Sequence, residues 1–367
     1  MAQTSSRKIL HVVGARPNFM KVAPVMRAMA ARDGRFEQRL VHTGQHYDEA
    51  MSQVFFDELG ITPPDENLEV GSGSHAAQTA EIMLRFEPVL LGFRPDWLVV
   101  VGDVNSTMAA TLVAAKLGIR TAHVEAGLRS FDRGMPEEIN RLVTDALADL
   151  LLTPSPDADE NLRREGVPAE RIRQVGNVMI DTLAANLERA RARQAPRRFG
   201  VEPRCYVYVT LHRPSNVDER DSLAAIVACL LDVSRRAPVV FPAHPRTRQR
   251  LSDFGLLEAL VAGVKLVEPV GYLDSIGLAE AAACVLTDSG GLQEETTFLR
   301  VPCLTLRPNT ERPVTISQGS NRLTTLARLR ADLDEAMKRR ESGEVLPCPA
   351  LWDGKASERI ADALLGT

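Results

Sequence analysis

The sequence predicts an α/β protein made of two doubly wound domains, each built on a parallel sheet. Short segments rich in Val, Ile and Leu alternate with longer segments of helical pattern along most of the chain. These short segments are apolar along their whole length, which is typical of parallel strands covered by helices on both faces. At 367 residues the chain also exceeds the size at which one hydrophobic core usually stops growing. We therefore expect two domains with separate cores.

Ten strands are predicted in two series of five, and the two series define the expected domains. The first series is 9–13, 39–43, 97–101, 121–124 and 150–153, and the second is 206–211, 239–242, 265–267, 284–287 and 303–306. The segment VGNVMIDTL, which precedes a charged helical stretch, marks the expected boundary. We expect a first domain over residues 1–178, completed by the C-terminal helix 352–367, and a second over residues 179–351.

The composition argues against several classes of partner. A net charge of -4, from 44 basic and 48 acidic residues, gives no general attraction for nucleic acid or anionic membranes. No apolar stretch approaches the roughly 18 residues of a membrane span, and the N-terminus lacks the apolar segment of a signal peptide. We expect a cytoplasmic protein with no nucleic-acid and no membrane partner.

The cysteines predict free thiols rather than disulfides or zinc ligands. They are odd in number, widely spaced and not arranged in CxxC pairs, and most lie in apolar segments. We therefore expect buried thiols of a reducing compartment. The five are Cys205, Cys229, Cys284, Cys303 and Cys348.

Polar residues directly follow the carboxyl ends of the predicted strands, and this pattern locates the expected site. In open parallel α/β sheets that edge forms the ligand crevice. With two such sheets facing each other, we expect the residues of both to converge on one interdomain cleft, where pockets commonly form. The residues in question are Gly14, Ala15, Arg16, Gly102, Asp103, Glu125, His212, Arg213, His244, Asp288, Ser289 and Arg307.

The segment GARPNFMK follows the first strand and opens a helix, with Pro17 expected in the first turn. A helix N-terminus attracts anions, and Arg16 and Lys21 add positive charge, so the segment indicates an anion site. It is not a GxGxxG motif, which disfavours a dinucleotide site. The alternative is a helix start that carries two solvated cations.

The segment TDSGGLQEE repeats this arrangement in the second half of the chain. Ser289 is placed to cap the helix, while Gly290 and Gly291 let a phosphate approach backbone N–H groups. Glu295 lies about one turn into the helix and suits either a ribose hydroxyl contact or a dipole-stabilising surface acid. The downstream LRPNTERP adds Arg312 as a candidate diphosphate contact. The alternative for the glycines is an ordinary βα turn.

Three carboxylates from neighbouring βα units are grouped near one edge of the first domain. They are Asp103 in GDVNST, Glu125 in HVEAGLRS and Glu137 in MPEEINR. Close acids separate their pKa values and can divide acid and base roles. The alternative for Glu137 is an i,i+4 helix pair with Arg141, worth about 0.2–0.5 kcal/mol.

Two histidines follow successive strands of the second domain, His212 in LHRPSN and His244 in PAHPRT. A single histidine at a strand end is more often a hydrogen-bonded structural residue, but two in succession favour a site. The histidines and carboxylates lack zinc spacing such as HExxH, so no metal is expected.

Together these segments resemble the non-hydrolysing UDP-N-acetylglucosamine 2-epimerase family. The matching motifs run in order from about residue 14 to 313, and HVEAGLRS, PEEINR and TDSGGLQEE are the most specific. The resemblance implies a GT-B-like fold, two Rossmann-like domains with the active site in the interdomain cleft, and a homodimer. It also implies epimerisation at C2 of UDP-GlcNAc to UDP-ManNAc through elimination of UDP and re-addition to a 2-acetamidoglucal, with no cofactor.

The resemblance assigns roles residue by residue. It gives the acid/base or sugar-orienting roles to the three carboxylates, and a proton-donating or charge-stabilising role near the diphosphate to a histidine: Asp103, Glu125, Glu137 and His212. It gives UDP or sugar binding to Arg16, Lys21, Arg141, His244, Ser289, Gly290, Gly291, Glu295 (on the ribose) and Arg312.

The sequence departs from the family pattern at two places. The segment after Gly44 is QHYD, followed by GSGSHAAQ, where many members carry an arginine and a Gln-containing segment that hold an activating second substrate. The usual HRxEN is HRPSN, with Ser215 in place of glutamate. Four alternatives stay open: an epimerase of a UDP-diacetamido-uronic acid, a hydrolysing epimerase, a GT-B glycosyltransferase, and a non-catalytic protein that binds UDP-sugars.

Overall fold

The chain forms two compact units. The computed structural model describes residues 6–44 and 63–366, apart from the side chain of Arg16, so the QHYD segment lies outside the described residues. One unit comprises Met1–Thr182 with Ala350–Thr367, and the other comprises Leu183–Pro349. The boundary therefore falls inside the helix Val178–Ala192.

The first unit contains a parallel sheet in the order β3-β2-β1-β4-β5-β6-β7. Its strands are β1 Arg7–Val13, β2 Phe36–His42, β3 Glu66–Asn67, β4 Trp97–Val101, β5 Arg120–Val124, β6 Leu150–Thr153 and β7 Ile172–Gln174. Its helices are α1 Arg16–Ala30, α2 His75–Phe93, α3 Asn105–Lys116, α4 Pro136–Leu147, α5 Pro156–Arg164, a 3-10 turn Ala169–Arg171, α6 Val178–Ala192 at the boundary, and the final helix Ala356–Gly366.

The second unit contains a parallel sheet in the order β10-β9-β8-β11-β12-β13. Its strands are β8 Val207–Thr210, β9 Val239–Pro242, β10 Lys265–Val267, β11 Cys284–Thr287, β12 Cys303–Leu306 and β13 Asn321–Thr324. Its helices are α7 Ala195–Arg198, α8 Pro214–Val217, α9 Arg220–Ser234, α10 Pro245–Asp253, α11 Leu257–Val261, α12 Tyr272–Glu280, α13 Gly290–Leu299, α14 Val314–Ser317 and α15 Leu329–Glu341. The final helix Ala356–Gly366, which belongs to the first unit, is α16.

All ten predicted strands are present, and the prediction of two Rossmann-like, doubly wound domains is confirmed. Each sheet reverses its strand order beside its first strand, which is the arrangement that places ligands at the carboxyl edge. The sequence missed β3, β7 and β13. These three lie at sheet edges, where one side of the strand faces solvent, so they are short and carry polar residues instead of continuous apolar runs.

The C-terminal helix Ala356–Gly366 belongs to the first unit. Its residues Ile360 and Leu364 pack with Met29 and Trp97 in one core cluster. Its first turn is held by Asp181, whose carboxylate accepts the N–H groups of Ala356 at 3.0 Å and Ser357 at 2.6 Å. Burial raises the pKa of Asp181, against the opposing effect of these N–H donors. The link between distant parts of the chain is therefore both apolar and hydrogen-bonded.

The five cysteines, all within the described residues, form no disulfide, but they are not all buried as expected. Cys284 and Cys303 are buried on the adjacent strands β11 and β12, whereas Cys205 is exposed in the turn before β8. Among the helices of residues 6–44 and 63–366, none is both long and apolar enough to cross a bilayer.

Candidate active site

The helix that follows β1 is tied to the neighbouring strand by a buried asparagine. Asn18 accepts the N–H of Ala15 at 3.0 Å and donates to the carbonyl of Val101, the last residue of β4, at 3.0 Å. Pro17 lies in the first turn of the helix, as predicted. Asn18 thus fixes the start of α1 against the loop that carries Asp103. The side chain of Arg16 lies outside the described part of the chain.

Lys21 and Glu125 form a buried ion pair at this edge. Glu125 adopts a left-handed backbone conformation with φ 73°, which costs a residue other than glycine about 1–3 kcal/mol. Within the described residues its Oε1 is buried without a hydrogen-bond partner, while Oε2 faces Lys21. A strained, buried carboxylate with one unsatisfied oxygen is typical of a residue held for chemistry rather than for stability.

Gly102 makes room for this pair. It has φ 68°, and a Cβ at this position would lie 3.0 Å from Nζ of Lys21 and 3.5 Å from Oε2 of Glu125. A side chain here would push the pair apart as well as strain the backbone. Glycine at this position of GDVNST therefore leaves the space that Lys21 and Glu125 occupy.

Asp103 is held by Arg141. The guanidinium donates from Nε at 2.9 Å and from an Nη at 2.5 Å to one carboxylate oxygen of Asp103, whose side chain is 28% exposed. Arg141 also donates to Glu138 at 2.9 Å. Burial lowers the pKa of Arg141, but its two carboxylate partners outweigh that effect and raise it. Arg141 is therefore a permanent cation between two acids.

The alternative for Glu137, an i,i+4 helix pair with Arg141, is wrong. The partner of Arg141 on the helix is Glu138, three positions earlier, and Glu137 is exposed. Glu138 also accepts N–H groups of Ser130 and Phe131 at 2.9 and 3.0 Å. Burial opposes ionisation of Glu138, but these donors and Arg141 lower its pKa. Glu138 thus anchors the HVEAGLRS segment, and Glu137 is left exposed beside it.

Two asparagines extend this network and were missed by the sequence analysis. Asn140 donates to the backbone carbonyl of Asp103 at 2.8 Å and to the side chain of Asn105 at 3.2 Å. Asn105 donates in turn to Gln78 at 2.8 Å. The only available signal was their position inside GDVNST and PEEINR.

In the second unit a buried aspartate organises the loop that carries His212. Asp288 accepts the backbone N–H of His212 at 3.0 Å and that of Arg213 at 2.9 Å, and its carboxylate lies 2.9 Å from Nδ1 of His212. Burial opposes ionisation of Asp288, but these donors and Asn216 lower its pKa. The His212 side chain is 54% exposed. An ionised Asp288 thus orients a solvent-accessible imidazole whose Nε2 points away from the carboxylate.

The TDSGG turn supports an anion site in a way that differs from the expectation. Ser289 occupies the N-cap position of α13, but its side chain makes no capping bond to the helix. A Cβ on Gly290 would lie 2.8 Å from Nη1 of Arg312, whereas one on Gly291 would meet nothing within 4 Å. Gly290 therefore admits Arg312 to the first turn, and Gly291 keeps the backbone open.

Arg312 and Arg307 are held by carboxylates rather than solvated. Arg312 pairs with Glu294 at 2.9 Å and with Glu311 at 2.6 Å, and Arg307 pairs with Glu311 at 2.9 Å. Burial would raise the pKa of Glu311, but the two guanidinium groups lower it to about 2. Glu311 is therefore ionised at neutral pH and pairs with both guanidinium groups.

Glu295 is buried, so the alternative of a surface acid on α13 is wrong. Burial and the neighbouring Glu294 raise the pKa of Glu295 to about 8, while Tyr272 on α12 opposes that shift. The Tyr272 hydroxyl is itself buried, and burial also raises its pKa. A largely protonated Glu295 can both donate and accept hydrogen bonds, as recognition of a sugar hydroxyl requires.

His244 has a structural role at the start of α10. Its Nδ1 accepts the backbone N–H of Arg246 at 3.3 Å, so the proton of a neutral ring lies on Nε2. The ring is exposed, and Nε2–H is therefore available as a donor. Among residues 6–44 and 63–366, no group of three His, Cys, Asp or Glu has the arrangement of a metal site.

The sequence of the chain matches a known family. The family model described as UDP-N-acetylglucosamine 2-epimerase matches residues 28–365. The chain belongs to this family. The predicted membership is thereby confirmed.

Two curated relatives and one solved structure illustrate the similarity. The UDP-N-acetylglucosamine 2-epimerase of Methanococcus maripaludis is 43% identical over 321 residues, 86% of this chain and 87% of the relative. A UDP-2,3-diacetamido-2,3-dideoxy-D-glucuronate 2-epimerase of Pseudomonas aeruginosa is 40% identical over 363 residues, 97% of this chain and 99% of the relative. The crystal structure of the Methanocaldococcus jannaschii UDP-GlcNAc 2-epimerase in complex with UDP-GlcNAc and UDP has a TM-score of 0.84 and 40% identity, with 98% and 100% of the two chains covered. These similarities confirm the predicted GT-B-like fold class.

Proposed function

We propose that the chain is a non-hydrolysing UDP-N-acetylglucosamine 2-epimerase that interconverts UDP-GlcNAc and UDP-ManNAc. The observation that carries the proposal is the acid cluster of the first unit, in which Asp103 and the strained Glu125 are each held by a cation at the carboxyl edge of the sheet. The family membership makes C2 of a UDP-linked sugar the natural target of such acids.

The first half of the proposed reaction removes one proton from C2 and breaks the C1–O bond to UDP, and the second half forms both bonds again. A carboxylate takes the proton from C2, the C2–H electron pair forms the C1=C2 double bond, and UDP leaves C1 with the electron pair of the C–O bond. The products are 2-acetamidoglucal and UDP. In the return step an oxygen of UDP adds to C1 and an acid protonates C2 on the other face. No redox cofactor and no metal enters this scheme.

We assign the proton-transfer and sugar-orienting roles to Asp103, Glu125 and Glu137. The Lys21 and Arg141 cations support the assignment for Glu125 and Asp103, because each cation holds one of these carboxylates in place at the carboxyl edge of the sheet. A positioned acid or base contributes about 100- to 10,000-fold to turnover. Lys21 thus affects the sugar chiefly by holding Glu125 in place.

We assign UDP binding to the second unit and to the start of α1. Arg312, the open turn at Gly290 and Gly291, and Ser289 suit the diphosphate, because they combine fixed positive charge with uncapped backbone N–H groups. The buried Glu295 suits the ribose. His212, oriented by Asp288, is placed to stabilise or protonate the leaving diphosphate. We also assign UDP binding to His244 and Arg16.

A second candidate substrate is a UDP-diacetamido-uronic acid. The observation that favours it is the Pseudomonas aeruginosa relative with that activity in its name, which is similar over 97% of this chain, more than the 86% shared with the Methanococcus maripaludis protein. The same elimination chemistry would serve, because the acidic carbon is again C2.

We also propose a homodimer formed through α2 and α4, whose outer faces are apolar. α4 buries the polar residues Glu138, Arg141 and Asp145 and exposes Ile139 and Leu147, the reverse of an ordinary surface helix. On α2, Leu84 and Leu91 are 68% and 52% exposed, and a groove of about 550 Å³ is lined in part by Met83 of α2, Met108 of α3 and Ile139 of α4.

The dimer proposal is tested by light scattering of purified variants. Leu84→Asp with Leu91→Asp should give monomers, because the charges cannot be buried in an apolar interface. Val345→Asp, at an equally exposed valine of the second unit, is the control and should leave the mass unchanged. A monomeric wild-type chain would overturn the proposal.

For the biological setting we propose a cytoplasmic enzyme that supplies an activated amino sugar for polysaccharide biosynthesis. The two buried thiols, Cys284 and Cys303, on adjacent strands fit a reducing compartment.

The reaction is tested by proton NMR of UDP-GlcNAc incubated with the protein in deuterated water. UDP-ManNAc with deuterium at C2 and no lasting free UDP is the expected result. Accumulation of UDP and free ManNAc would replace the proposal with a hydrolysing reaction. If UDP-GlcNAc shows no exchange at C2 but a UDP-diacetamido-uronate does, the second substrate is the correct one. Exchange in neither compound would favour a protein that binds UDP-sugars without catalysis.

A further inference from the structure

A fully buried histidine bridges the two segments that carry the proposed acids. His123 lies in β5, two residues before Glu125, and has no exposed surface. Its Nδ1 lies 2.6 Å from Oδ1 of Asp145 on α4, and its Nε2 lies 2.9 Å from the backbone carbonyl oxygen of Gly102. One ring therefore connects three structural elements at the edge of the sheet.

The partners of the ring determine where its protons are. A carbonyl oxygen only accepts hydrogen bonds, so Nε2 must carry a hydrogen. Burial opposes ionisation of Asp145, but its pKa is lowered by His123 and Arg129, so Asp145 also accepts. Its second oxygen accepts Arg129 at 2.7 Å and the N–H of Gly127 at 3.0 Å. With Nε2–H directed at the Gly102 carbonyl, Nδ1 faces the carboxylate of Asp145.

The carbonyl that receives Nε2–H belongs to the peptide unit that begins Asp103. Gly102 has a left-handed backbone, with φ 68°, and its own N–H donates to the carbonyl of Val124 at 3.1 Å. A glycine in this conformation has no side chain to restrict the rotation of its peptide planes. The hydrogen bond from His123 to the Gly102 carbonyl restricts the rotation of the peptide plane that joins Gly102 to Asp103.

We propose that His123 is a positioning residue: its Nε2–H fixes the Gly102–Asp103 peptide plane and thereby sets the placement of the Asp103 carboxylate relative to Glu125. The proposal rests on the proposed epimerase function, because its effect is on proton transfer at C2. It assigns the histidine of HVEAGLRS a role distinct from that of the neighbouring glutamate. Asp145 and Arg129 act one step further out, by holding the ring.

The competing explanation is purely structural, with His123 present to neutralise the buried Asp145. The two explanations rely on different ring nitrogens, so a matched pair of substitutions separates them. The amide nitrogen of Gln reaches about as far as Nε2, and that of Asn about as far as Nδ1. His123→Gln keeps a donor for the Gly102 carbonyl, whereas His123→Asn keeps a donor for Asp145.

The proposal predicts that His123→Asn lowers kcat by about 100-fold, the effect of displacing a reacting group by about 1 Å. His123→Gln should lose at most about tenfold, because the bond to Gly102 is retained. The KM for the UDP-sugar and the affinity for UDP, measured by titration calorimetry, should stay near wild-type values in both variants. A loss made only in the transition state appears in kcat and not in KM.

The proposal is overturned if His123→Asn is as active as His123→Gln or more active, or if both lose UDP affinity in step with kcat. If neither variant folds, nitrogen-15 NMR of the histidines in the wild-type protein decides: Nε2 of His123 must carry a proton, and an unprotonated Nε2 overturns the proposal. An inactive wild-type protein in which Nε2 of His123 is protonated would overturn the proposed epimerase, and with it the role in catalysis, while leaving the bond to Gly102 in place.

Discussion

In both units charged residues lie at the carboxyl edge of a parallel sheet, but the sign of the charge that holds the candidate group is opposite. In the first unit cations hold acids: Lys21 holds Glu125 and Arg141 holds Asp103. In the second unit acids hold bases: Asp288 orients His212, and Glu294 with Glu311 fixes Arg312. The difference agrees with the proposed division of roles, in which the first edge serves proton transfer and the second binds the departing anion.

The contrast predicts that the acids of the first unit affect turnover far more than UDP binding. Glu125→Gln and Asp103→Asn should each lower kcat by more than about 100-fold, because an amide cannot exchange the proton. Glu137→Gln should behave likewise, and so should His212→Asn if it donates a proton. UDP affinity should stay close to wild type in calorimetric titrations.

An exposed acid of the same unit provides the control for these variants. Glu170→Gln, at an exposed acid in the 3-10 turn Ala169–Arg171, should leave kcat unchanged. Near-normal turnover in all four site variants would contradict the assignment of the proton-transfer groups.

A matched pair of arginines sharpens the comparison, because each is held by two carboxylates. Arg312→Met should weaken UDP binding by about 10- to 100-fold, the value of a hydrogen bond to a charged group. Arg141→Met should leave UDP affinity nearly unchanged and lower kcat instead, since its partner is Asp103. Calorimetry and initial rates on the two variants measure the contrast.

The pair has a control and a clear contrary outcome. Arg191→Met removes a half-exposed arginine that also pairs with two acids, Glu188 and Glu280, and should change neither quantity. Equal losses of UDP affinity in the Arg141 and Arg312 variants would remove the distinction between the two edges.

The smallest expected effect is on stability, through Glu295. Its pKa is raised by burial to about 8, so between its unfolded value and pH 8 the folded state binds a proton that the unfolded state has lost. Stability therefore falls as pH rises through this window, by about 1 kcal/mol per pH unit. Glu295→Gln should remove this contribution to the slope.

The measurement is urea unfolding without UDP at pH 6 and at pH 7. The free energy of unfolding should fall less for Glu295→Gln than for wild type, whereas Glu341→Gln, at an exposed acid of α15, should match wild type. An identical slope in wild type and Glu295→Gln would show that Glu295 is ionised in the folded protein.

The strands were predictable because buried parallel strands need apolar side chains on both faces, as in Trp97–Val101 and Cys284–Thr287. Three of the four edge strands, β3, β7 and β13, were missed because their polar residues carry no such pattern. The positions of Asp103, Glu125 and His212 at strand ends followed from the same reasoning, since a polar residue directly after an apolar run must lie at the sheet edge.

The partners of these residues were less predictable. The helical repeat makes both Glu137 and Glu138 neighbours of Arg141, because residues three and four positions apart lie side by side on a helix. The partner is Glu138, which is buried. Ser289 was predicted to cap α13 from its position, yet it makes no cap bond. Asn18, His123 and Tyr272 gave no signal of their own, because their roles depend on contacts with residues distant in sequence.

The sequence by itself determined the two doubly wound domains, the family and the identity of most candidate groups, because apolar runs and the residues that end them are local properties. Only the tertiary structure decided which cation faces which acid, which glutamate of PEEINR is buried, and where His123 directs its protons. Those outcomes depend on burial and on distances between segments that lie far apart in the chain. Charge pairing and pKa values are set by such distances, so they appear only when the chain is folded.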